Sequence, residues 1–447
     1  MFRASLAASL GLLIVAALGV VGSAQPEARS SPATIAAPAP QLSRLVGFID
    51  ARLVLVNPET LRPLPGKGIA VGSGGCASRQ GGSACWSNPP WTVSPDGARL
   101  ALARNDLSSL QVVDAGRLRV TASVRLSGGP IGALAWLTRG RMLALEEVAG
   151  ERQRLVVVDL ATKRVLARRP LGGSVLLLGR TPQELVMLLS PAQAIGAARI
   201  AVADRQGRVR FVRLERILAG SKLLGTGSDH RVDSRLPGLA VDPQGRRAFV
   251  VAQGLAAEVD LRTLAVSYHS LERPPSLLSR LWNWLEPVAH AKQVSGYHRK
   301  ARWLGSDLIA VSGTDTENGR YQPAGLLVID TRSWSVRTID RGAMGFEVAG
   351  DALLATGGSW DAASQRNVGI GVASYGIEGE KRFQLFDGQQ TWVALVYGGR
   401  AYVGYVGTAA QEPLRIVELA TGRVVGMRQQ PLPWLLLGAG SGWWGDG

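Results

Sequence analysis

Three histidines fall in segments of the sequence that read as long loops between strands. His230 follows Asp229 in the stretch 219–237, while His290 and His298 lie in the insertion 272–300. Imidazole and carboxylate groups are ligands that zinc and related metals take in proteins. No pair of these residues has the spacing of a recognised metal motif, so two interpretations stay open, a metal site and a polar loop surface. Of these we predict the polar loop surface, with no metal and no cofactor.

A second set of candidate side chains lies in the loops 312–325 and 357–367. Carboxylates from adjacent loops can hold calcium or form the acid pair of a glycosidase, and solvated turn residues are the alternative. The sequence contains no Gly-x-Ser-x-Gly elbow and no phosphate loop. We therefore predict binding residues and no catalytic ones. The residues of these two loops and of the histidine segments are Asp315, Tyr321, Trp360, Asp361, Asp229, His230, His290 and His298.

The insertion 272–300 also carries a helical pattern. From Ser276 to Glu286 the apolar residues recur at helical spacing, with Trp282 and Trp284 on the apolar side. Pro287 then ends or kinks the predicted helix. We expect a short helical insertion near 274–292 and add both tryptophans to the binding residues. The apolar stripe either packs on the rest of the fold or contacts a partner or a membrane surface.

One phrase recurs along the chain and indicates the elements that position these loops. The stretches "WTVSPDGARLAL" (91–102) and "LAVDPQGRRAFV" (239–250) both join an apolar run to an alternating run through an Asp/Pro/Gly turn. Each copy continues into two further short strands. Units of four short strands predict the blades of an all-β propeller. The copies begin near Trp91, Ile131, Ser174, Gly238, Ala301, Gly345 and Thr391.

The two ends of the repeat region complement each other. Residues 45–71 read as a unit that lacks its first strand, and residues 433–441 read as a lone first strand. Together they predict a composite blade that closes one propeller over residues 44–442. The seven copies and the composite blade favour eight four-stranded blades. Seven remains the alternative, because the third copy has the weakest pattern.

The wording of the repeats resembles the YVTN and WD-like families of bacterial secreted propellers. The resemblance rests on "LVVVDLATKRVLA", "LRIVELATGRVV" and the "SPDG" turn, and it extends over most of the chain from residue 45. It implies the propeller fold. It implies little about activity, because such folds serve many functions.

The connections of a four-stranded antiparallel blade alternate between the two faces of the ring. Connections one-to-two and three-to-four share one face, here named the short-loop face. Connections two-to-three and the links between blades share the other, here named the long-loop face, because the long segments of this sequence all fall there. Loops on a rigid scaffold are where binding sites usually lie. We therefore expect the long-loop face to be the functional one.

The N-terminus and the cysteines indicate export. Arg3, an apolar run over 4–21 and small residues before a cut after Ala24 are typical of a signal peptide over 1–24, and an uncleaved anchor is the alternative. Residues 25–43 read as a Pro/Ala/Ser-rich linker. In an exported chain, Cys76 and Cys85 predict a disulfide, with a metal pair as the alternative. We expect a secreted or envelope-associated protein.

The net charge of +16 comes from scattered arginines and not from a basic block. Combined with an export signal, this distribution argues against nucleic acid as a partner. The arginines either solvate strand edges or attract anionic polymers and lipid head groups. We predict a monomeric binding or scaffold module for another envelope protein, a glycan or an anionic wall polymer. A propeller enzyme of hydrolase, lactonase or quinoprotein type and a purely structural envelope component are the alternatives.

Overall fold

The computed structural model describes residues 41–439 except 50, 67, 72–74, 80–81, 87–88, 105, 149–151, 193, 225–230, 272–293, 318–319, 362–365, 406–413 and 429–434. These residues form strands and turns and no helix, as an all-β fold requires. No segment among them is therefore a helix able to cross a membrane. The predicted helical insertion at 274–292, with Trp282, Trp284 and His290, falls outside the described residues.

The strands follow one another at short intervals. The first part of the chain forms β1 (Gln41–Ile49), β2 (Arg52–Leu55), β3 (Ile69–Ala70), β4 (Gly75–Arg79), β5 (Gly82–Trp86), β6 (Trp91–Val93), β7 (Arg99–Ala103), β8 (Ser109–Asp114), β9 (Arg119–Arg125), β10 (Ile131–Thr138), β11 (Arg141–Val148), β12 (Arg152–Asp159) and β13 (Arg164–Pro170). The middle part forms β14 (Ser174–Arg180), β15 (Glu184–Ser190), β16 (Gly196–Asp204), β17 (Val209–Leu224), β18 (Arg231–Leu236), β19 (Gly238–Val241), β20 (Arg247–Val251), β21 (Leu255–Asp260) and β22 (Val266–Ser270). The last part forms β23 (Val294–Gly305), β24 (Leu308–Glu317), β25 (Arg320–Pro323), β26 (Leu326–Asp330), β27 (Val336–Asp340), β28 (Ala343–Ala349), β29 (Ala352–Asp361), β30 (Arg366–Gly376), β31 (Lys381–Leu385), β32 (Thr391–Tyr397), β33 (Arg400–Tyr405), β34 (Leu414–Glu418), β35 (Arg423–Arg428) and β36 (Leu435–Ala439).

Among the described residues, six separate four-stranded antiparallel sheets form blades of a β-propeller. Five of them use consecutive strands: β6–β9, β10–β13, β19–β22, β28–β31 and β32–β35. The sixth is the composite blade, in which β36 pairs with β1 and the sheet continues through β2 to β3. The ends of the repeat region thus meet in one sheet, as the sequence predicted. Strand β1 begins at Gln41, within the segment predicted as linker, and Leu42 is already buried.

The prediction of eight, or alternatively seven, separate four-stranded blades is wrong. The third and fifth copies of the phrase, which start near Ser174 and Ala301, do not form sheets of their own. Their strands belong to one ten-stranded sheet, in which β14–β17 and the set β23, β24, β26 and β27 each keep the antiparallel order of a blade. Strand β18 joins the two halves, pairing antiparallel with β17 and parallel with β23.

The two halves fuse because β17 is longer than the strand it pairs with. Strand β17 has 16 residues, and its pairing with β16 ends at the pair Gly196–Ala219. The residues of β17 after Ala219 therefore extend beyond β16. An unpaired strand end exposes backbone hydrogen-bonding groups, which need partners wherever water is excluded. Strand β18 supplies them from Gly220 to Leu224. The fusion depends on a pairing between strands far apart in the sequence, which no local pattern announces.

Apolar side chains between neighbouring sheets hold the structure together. Within the described part of the chain, eight clusters of buried residues each join one set of blade strands to the next. One cluster includes Phe48 of the composite blade and Trp91 of β6. Another joins Leu45 and Leu61 to Tyr402 of β33. The clusters therefore form an unbroken ring, and both faces of every sheet are covered.

The recurrent acids at the ends of the third strands shape turns. Asp159 Oδ1 accepts hydrogen bonds from the backbone N–H (2.8 Å) and the hydroxyl (2.9 Å) of Thr162. Asp260 holds Thr263 in the same way, at 2.6 and 2.8 Å. These bonds lower the pKa values of both carboxyls. In the sequence such an acid recurs once per repeat, which is typical of turn formation and not of catalysis. Each carboxylate accepts backbone N–H groups of its own turn, as at Asp114, Asp159, Asp204 and Asp330.

Closure through the composite blade predicts a large effect of a core substitution there. Phe48 is 1% exposed, and Phe48→Ala should lower the free energy of unfolding by about 3–5 kcal/mol, because it leaves a cavity between two sheets. The matched control is Phe211→Ala, since Phe211 is 41% exposed and should cost less than about 1 kcal/mol. Urea unfolding followed by tryptophan fluorescence measures both. Equal losses would contradict the closed ring.

The junction between β17 and β23 predicts an alkaline loss of stability. The hydroxyl of Tyr297 donates a hydrogen bond to the Leu218 carbonyl (2.7 Å), and burial raises the pKa of Tyr297 to about 12. A tyrosine in the unfolded chain ionises at about pH 10, so ionisation favours unfolding as the pH rises from 9 to 11. The expected loss from Tyr297 is about 1 kcal/mol over that range. Tyr297→Phe should lack this part of the slope and lose about 1 kcal/mol at pH 7. Parallel pH slopes for the two proteins would refute the assignment.

Candidate functional site

Most connections sort by face as the sequence predicted, but the long connection between β2 and β3 is an exception. Tight turns such as 139–140, 306–307, 350–351 and 398–399 lie on the short-loop face, where the longest connection is 56–68. The strand ends that border the links 71–90, 271–293 and 429–434 and the connection 406–413 lie on the long-loop face. The ten-stranded sheet adds to this face, because β17, β23 and β24 continue beyond their blades there.

These continuations form a small sheet, here named the strand extension. It consists of residues 220–224, 231–236, 294–300, 312–317 and 320–323. Sheet β19–β22 packs between the two halves of the ten-stranded sheet through two apolar clusters, so the extension crosses its long-loop end. Strand β24 changes its partner from β26 to β25 at Gly313, whose φ is +154°. A Cβ at this position would lie 1.9 Å from the His298 carbonyl oxygen, so only glycine fits.

The buried side chains of Tyr297 and Arg299 hold the strands of the extension together. Besides its hydrogen bond to β17, the Tyr297 ring contacts the guanidinium groups of Arg235 and Arg299, at 5.8 and 5.6 Å. Arg299 is buried and donates to the Thr314 carbonyl (2.7 Å) and to Asp315 Oδ1 (2.6 Å). A buried cation is tolerated when a carboxylate and further acceptors satisfy it. The bracing fixes β23 against β24 where both leave the blade.

The outer surface of the extension presents apolar and aromatic groups. Tyr321 of β25 is 67% exposed, and Val232 of β18 is exposed as well. His298, on β23, is also exposed. Partial desolvation and the nearby charges of Arg299 and Lys300 lower the pKa of His298, so its imidazole is uncharged at neutral pH. The extension is thus a braced platform whose outward side chains are mostly uncharged.

The extension brings together three of the residues predicted from the sequence. Within it, the strand register places His298 opposite Thr314, Asp315 opposite Tyr297 and Gln322, and Tyr321 opposite Thr316. Asp315 is engaged by Arg299, so it helps to hold the platform. Trp360 and Asp361 end β29 on the same face, and only their backbone is described. Asp229, His230, Trp282, Trp284 and His290 lie outside the described residues.

The cysteines lie on a separate hairpin of the long-loop face. Strands β4 and β5 pair so that Cys76 stands directly opposite Cys85. Their side chains lie outside the described atoms, so the disulfide stays a prediction. The hairpin belongs to the link between the composite blade and β6.

The short-loop face has a polar groove of about 670 Å³ at its rim, lined by Gln183, Glu184, Asp204, Arg205, Gln206, Arg208 and Arg210. Its arginines already have partners. Arg208 pairs with Asp204 at 2.6 Å, and Arg210 pairs with Glu184 at 2.8 Å. Arg210 also donates to the carbonyls of Leu261 and Arg262 in the neighbouring sheet. The groove therefore lies at the contact between two neighbouring sheets.

Similar arginine contacts recur around the short-loop face. Arg99 donates to the Arg139 carbonyl at 2.6 Å, and Arg141 donates to the Arg205 carbonyl at 3.1 Å. Arg400 pairs with Glu59 at 3.1 Å. Each contact links one set of blade strands to the next. Part of the positive charge of the chain therefore contributes to contacts between neighbouring sheets on this face.

Sequence reasoning missed two clusters on the long-loop face. One surrounds Glu146, which is fully buried and pairs with Arg154 (2.6 Å) and Arg168 (3.8 Å). The other surrounds Arg415 on β34. In the sequence, Glu146 could have been noticed as an acid at a strand position that otherwise faces the core. No sequence pattern indicated the cluster around Arg415. Over the described stretches, no three His, Cys, Asp or Glu side chains lie close enough together to hold a metal ion.

Comparison with known proteins supports the fold alone. No family model and no curated protein sequence matches this chain. Among solved structures, the dihydro-heme d1 dehydrogenase NirN in complex with DHE is similar over 95% of this chain and 79% of its own, with a TM-score of 0.54 and 13% identity. Weaker likenesses are to the computationally designed Ika8 protein (TM-score 0.44, 11% identity, 79% of this chain and 89% of that one) and to a prolyl endopeptidase (TM-score 0.45, 12% identity, 76% and 49%).

Proposed function

We propose that this chain is an extracytoplasmic binding module that holds a partner on its long-loop face. The strand extension is the observation that carries the proposal. It rises beyond the blades, is braced by buried contacts and directs Tyr321 and Val232 outward. A platform ordered before binding loses little conformational entropy when the partner arrives. Exposed aromatic groups on such a platform are typical of binding hot spots.

A protein is the partner class that the extension fits best. Its exposed groups include Tyr321, Val232 and His298. Lys222 is the one exposed cation among the side chains described there, whereas an anionic wall polymer would require several free cations. Strand β25 pairs with β24 along one edge, and within the described residues no strand pairs with its other edge. Such an edge can accept a strand from a partner chain. A glycan and an anionic polymer are the other possible outcomes of the test below.

Substitution of Tyr321 tests the platform directly. Tyr321→Ala should weaken association by about tenfold or more, because a central aromatic anchor contributes on the order of 2 kcal/mol. The measurement is co-sedimentation of the full chain with cell-wall and membrane fractions, at low salt and at about 0.15 M salt. Protease treatment of the fractions should abolish binding if the partner is a protein.

The matched control for Tyr321→Ala is Val425→Ser on β35. Val425 is an exposed apolar residue on an edge strand of a different blade. It should leave association unchanged. Association that both variants keep, or that salt removes from all proteins alike, would contradict the platform and assign the binding to charge alone.

We also propose that the chain is exported and that Cys76 and Cys85 form a disulfide. The support is the register of the β4–β5 hairpin, which sets the two cysteines directly opposite each other. The repeat wording similarly favours a relationship to the YVTN and WD-like families. The enzyme alternative remains a hypothesis, because the likeness to a dehydrogenase extends only to the fold.

Thiol labelling tests the disulfide. Iodoacetamide added to the protein unfolded without reductant should label neither cysteine, and prior reduction should expose both. The small loop should contribute about 2–3 kcal/mol to stability at most, mainly to the hairpin itself. Labelling of both cysteines without reductant, in protein purified from an oxidising compartment, would refute the pairing.

A further inference from the structure

Arg415 is a partly buried cation that has no partner of opposite charge among the described residues. Its guanidinium carbon lies 4.4 Å from the centre of the Phe386 ring and 4.5 Å from that of Tyr405. The two rings are tilted by 58° and form a V around it. Within the part of the chain that the structure describes, Arg415 makes no ion pair and no hydrogen bond. Asp387, next to Phe386 in the sequence, accepts a hydrogen bond from Gln384 instead (3.0 Å).

Two hydroxyl groups on the neighbouring strands also lack hydrogen-bond partners in the part of the chain that the structure describes. Thr391 is 5% exposed, and its buried Oγ1 has no hydrogen-bond partner. The Oη atom of Tyr405 is likewise buried without a partner. The strand register places Thr391 directly opposite Tyr405, and Val403, two residues earlier on β33, opposite Arg415. Buried polar groups are almost always satisfied in folded proteins, so two such groups beside an unpaired guanidinium require an explanation.

Three other buried or half-buried arginines show what a purely structural cation looks like. Arg299 binds Asp315, Arg154 binds Glu146, and Arg247 binds both Glu258 and Asp307. Arg415 has aromatic rings where these residues have carboxylates. Desolvation lowers its pKa, although the group stays charged at neutral pH. The fold thus places the positive charge of Arg415 between two aromatic rings and not beside a carboxylate.

We propose that Arg415, Tyr405 and Thr391 form a binding site for an oxyanion, a carboxylate or a phosphate group carried by a ligand. A guanidinium offers paired N–H donors that match the two oxygens of such a group. The hydroxyls of Tyr405 and Thr391 can each donate one further hydrogen bond. Arg415 is the second residue of β34 and Thr391 is the first of β32, so both lie at the long-loop end of their sheet.

The surroundings favour an anionic group attached to an apolar or aromatic body. The rings of Phe386 and Tyr405 flank the guanidinium and give the site an aromatic lining. One guanidinium and two hydroxyls suit a single anionic group better than a run of charges along a polymer. The site is separate from the strand extension, so it stands or falls independently of the proposed partner platform.

Titration of the full chain with two probes tests the site. Sodium benzoate supplies a carboxylate on an aromatic body, and inorganic phosphate supplies the bare oxyanion. Both are titrated calorimetrically at constant ionic strength. Arg415→Gln should weaken binding of the preferred probe by roughly tenfold or more. Tyr405→Phe keeps the ring and removes only the hydroxyl, so it should weaken binding by roughly fivefold.

Arg423→Gln is the matched control for charge. Arg423 is an exposed arginine on β35, at the short-loop end of the same sheet. It should leave binding of both probes unchanged. Because Arg415 has no ion pair to lose, Arg415→Gln should also keep the wild-type melting temperature.

The outcomes separate the explanations. A tighter benzoate complex that depends on Arg415 supports a carboxylate ligand with an apolar body, and a tighter phosphate complex that depends on it supports a phosphorylated one. Equal losses in Arg415→Gln and Arg423→Gln would overturn the proposal, because binding would then follow net charge. It would also be overturned if neither probe binds the wild-type chain, or if Arg415→Gln lowers the melting temperature without changing binding.

Discussion

The structure depends on one constraint, which is that a twisted four-stranded sheet of this sequence is apolar on both faces. Leu143, Leu145 and Val157 of one sheet face one neighbour, and Met142, Ala144 and Val156 face the other. A sheet of this kind is stable only between two others, and a row of such sheets leaves its end faces uncovered unless it closes. The pairing of β36 with β1 closes it. Closure also leaves the outer strands as the exposed edges, and arginines there discourage edge-to-edge association.

Closure fixes the direction of every connection and hence the two unlike faces. On the short-loop face the arginines mostly reach across to carbonyls or acids of the next sheet, so charge contributes to assembly. On the long-loop face the chain has room for the strand extension, which crosses the end of sheet β19–β22. The same residue type therefore has different uses. Arg141 links sheets, Arg299 braces the extension, and Arg415 stays unpaired between two rings.

These differences follow from the low polarity of the sites and not from the number of charges. A guanidinium removed from water is costly until acceptors surround it. Where Asp315 and the Thr314 carbonyl surround Arg299, the result is rigidity. Where Phe386 and Tyr405 flank Arg415, attraction to the aromatic rings offsets part of that cost. The remaining hydrogen-bonding capacity is available to a ligand.

The sequence by itself determined the all-β propeller, the composite blade and the turn role of acids such as Asp159, because strand alternation and turn chemistry are local and repeat with the blades. It also indicated the long-loop face, since connections alternate by topology, and it selected His298, Asp315 and Tyr321, which share the strand extension. Only the tertiary structure decided that β18 would fuse two repeats into one sheet, because Arg235 and Tyr297 pair across a long separation in the chain. Only it decided which arginines have partners, because the acids that reach an arginine come from other strands. Arg299 and Arg415 are alike in the sequence, and they differ in what the fold places beside them.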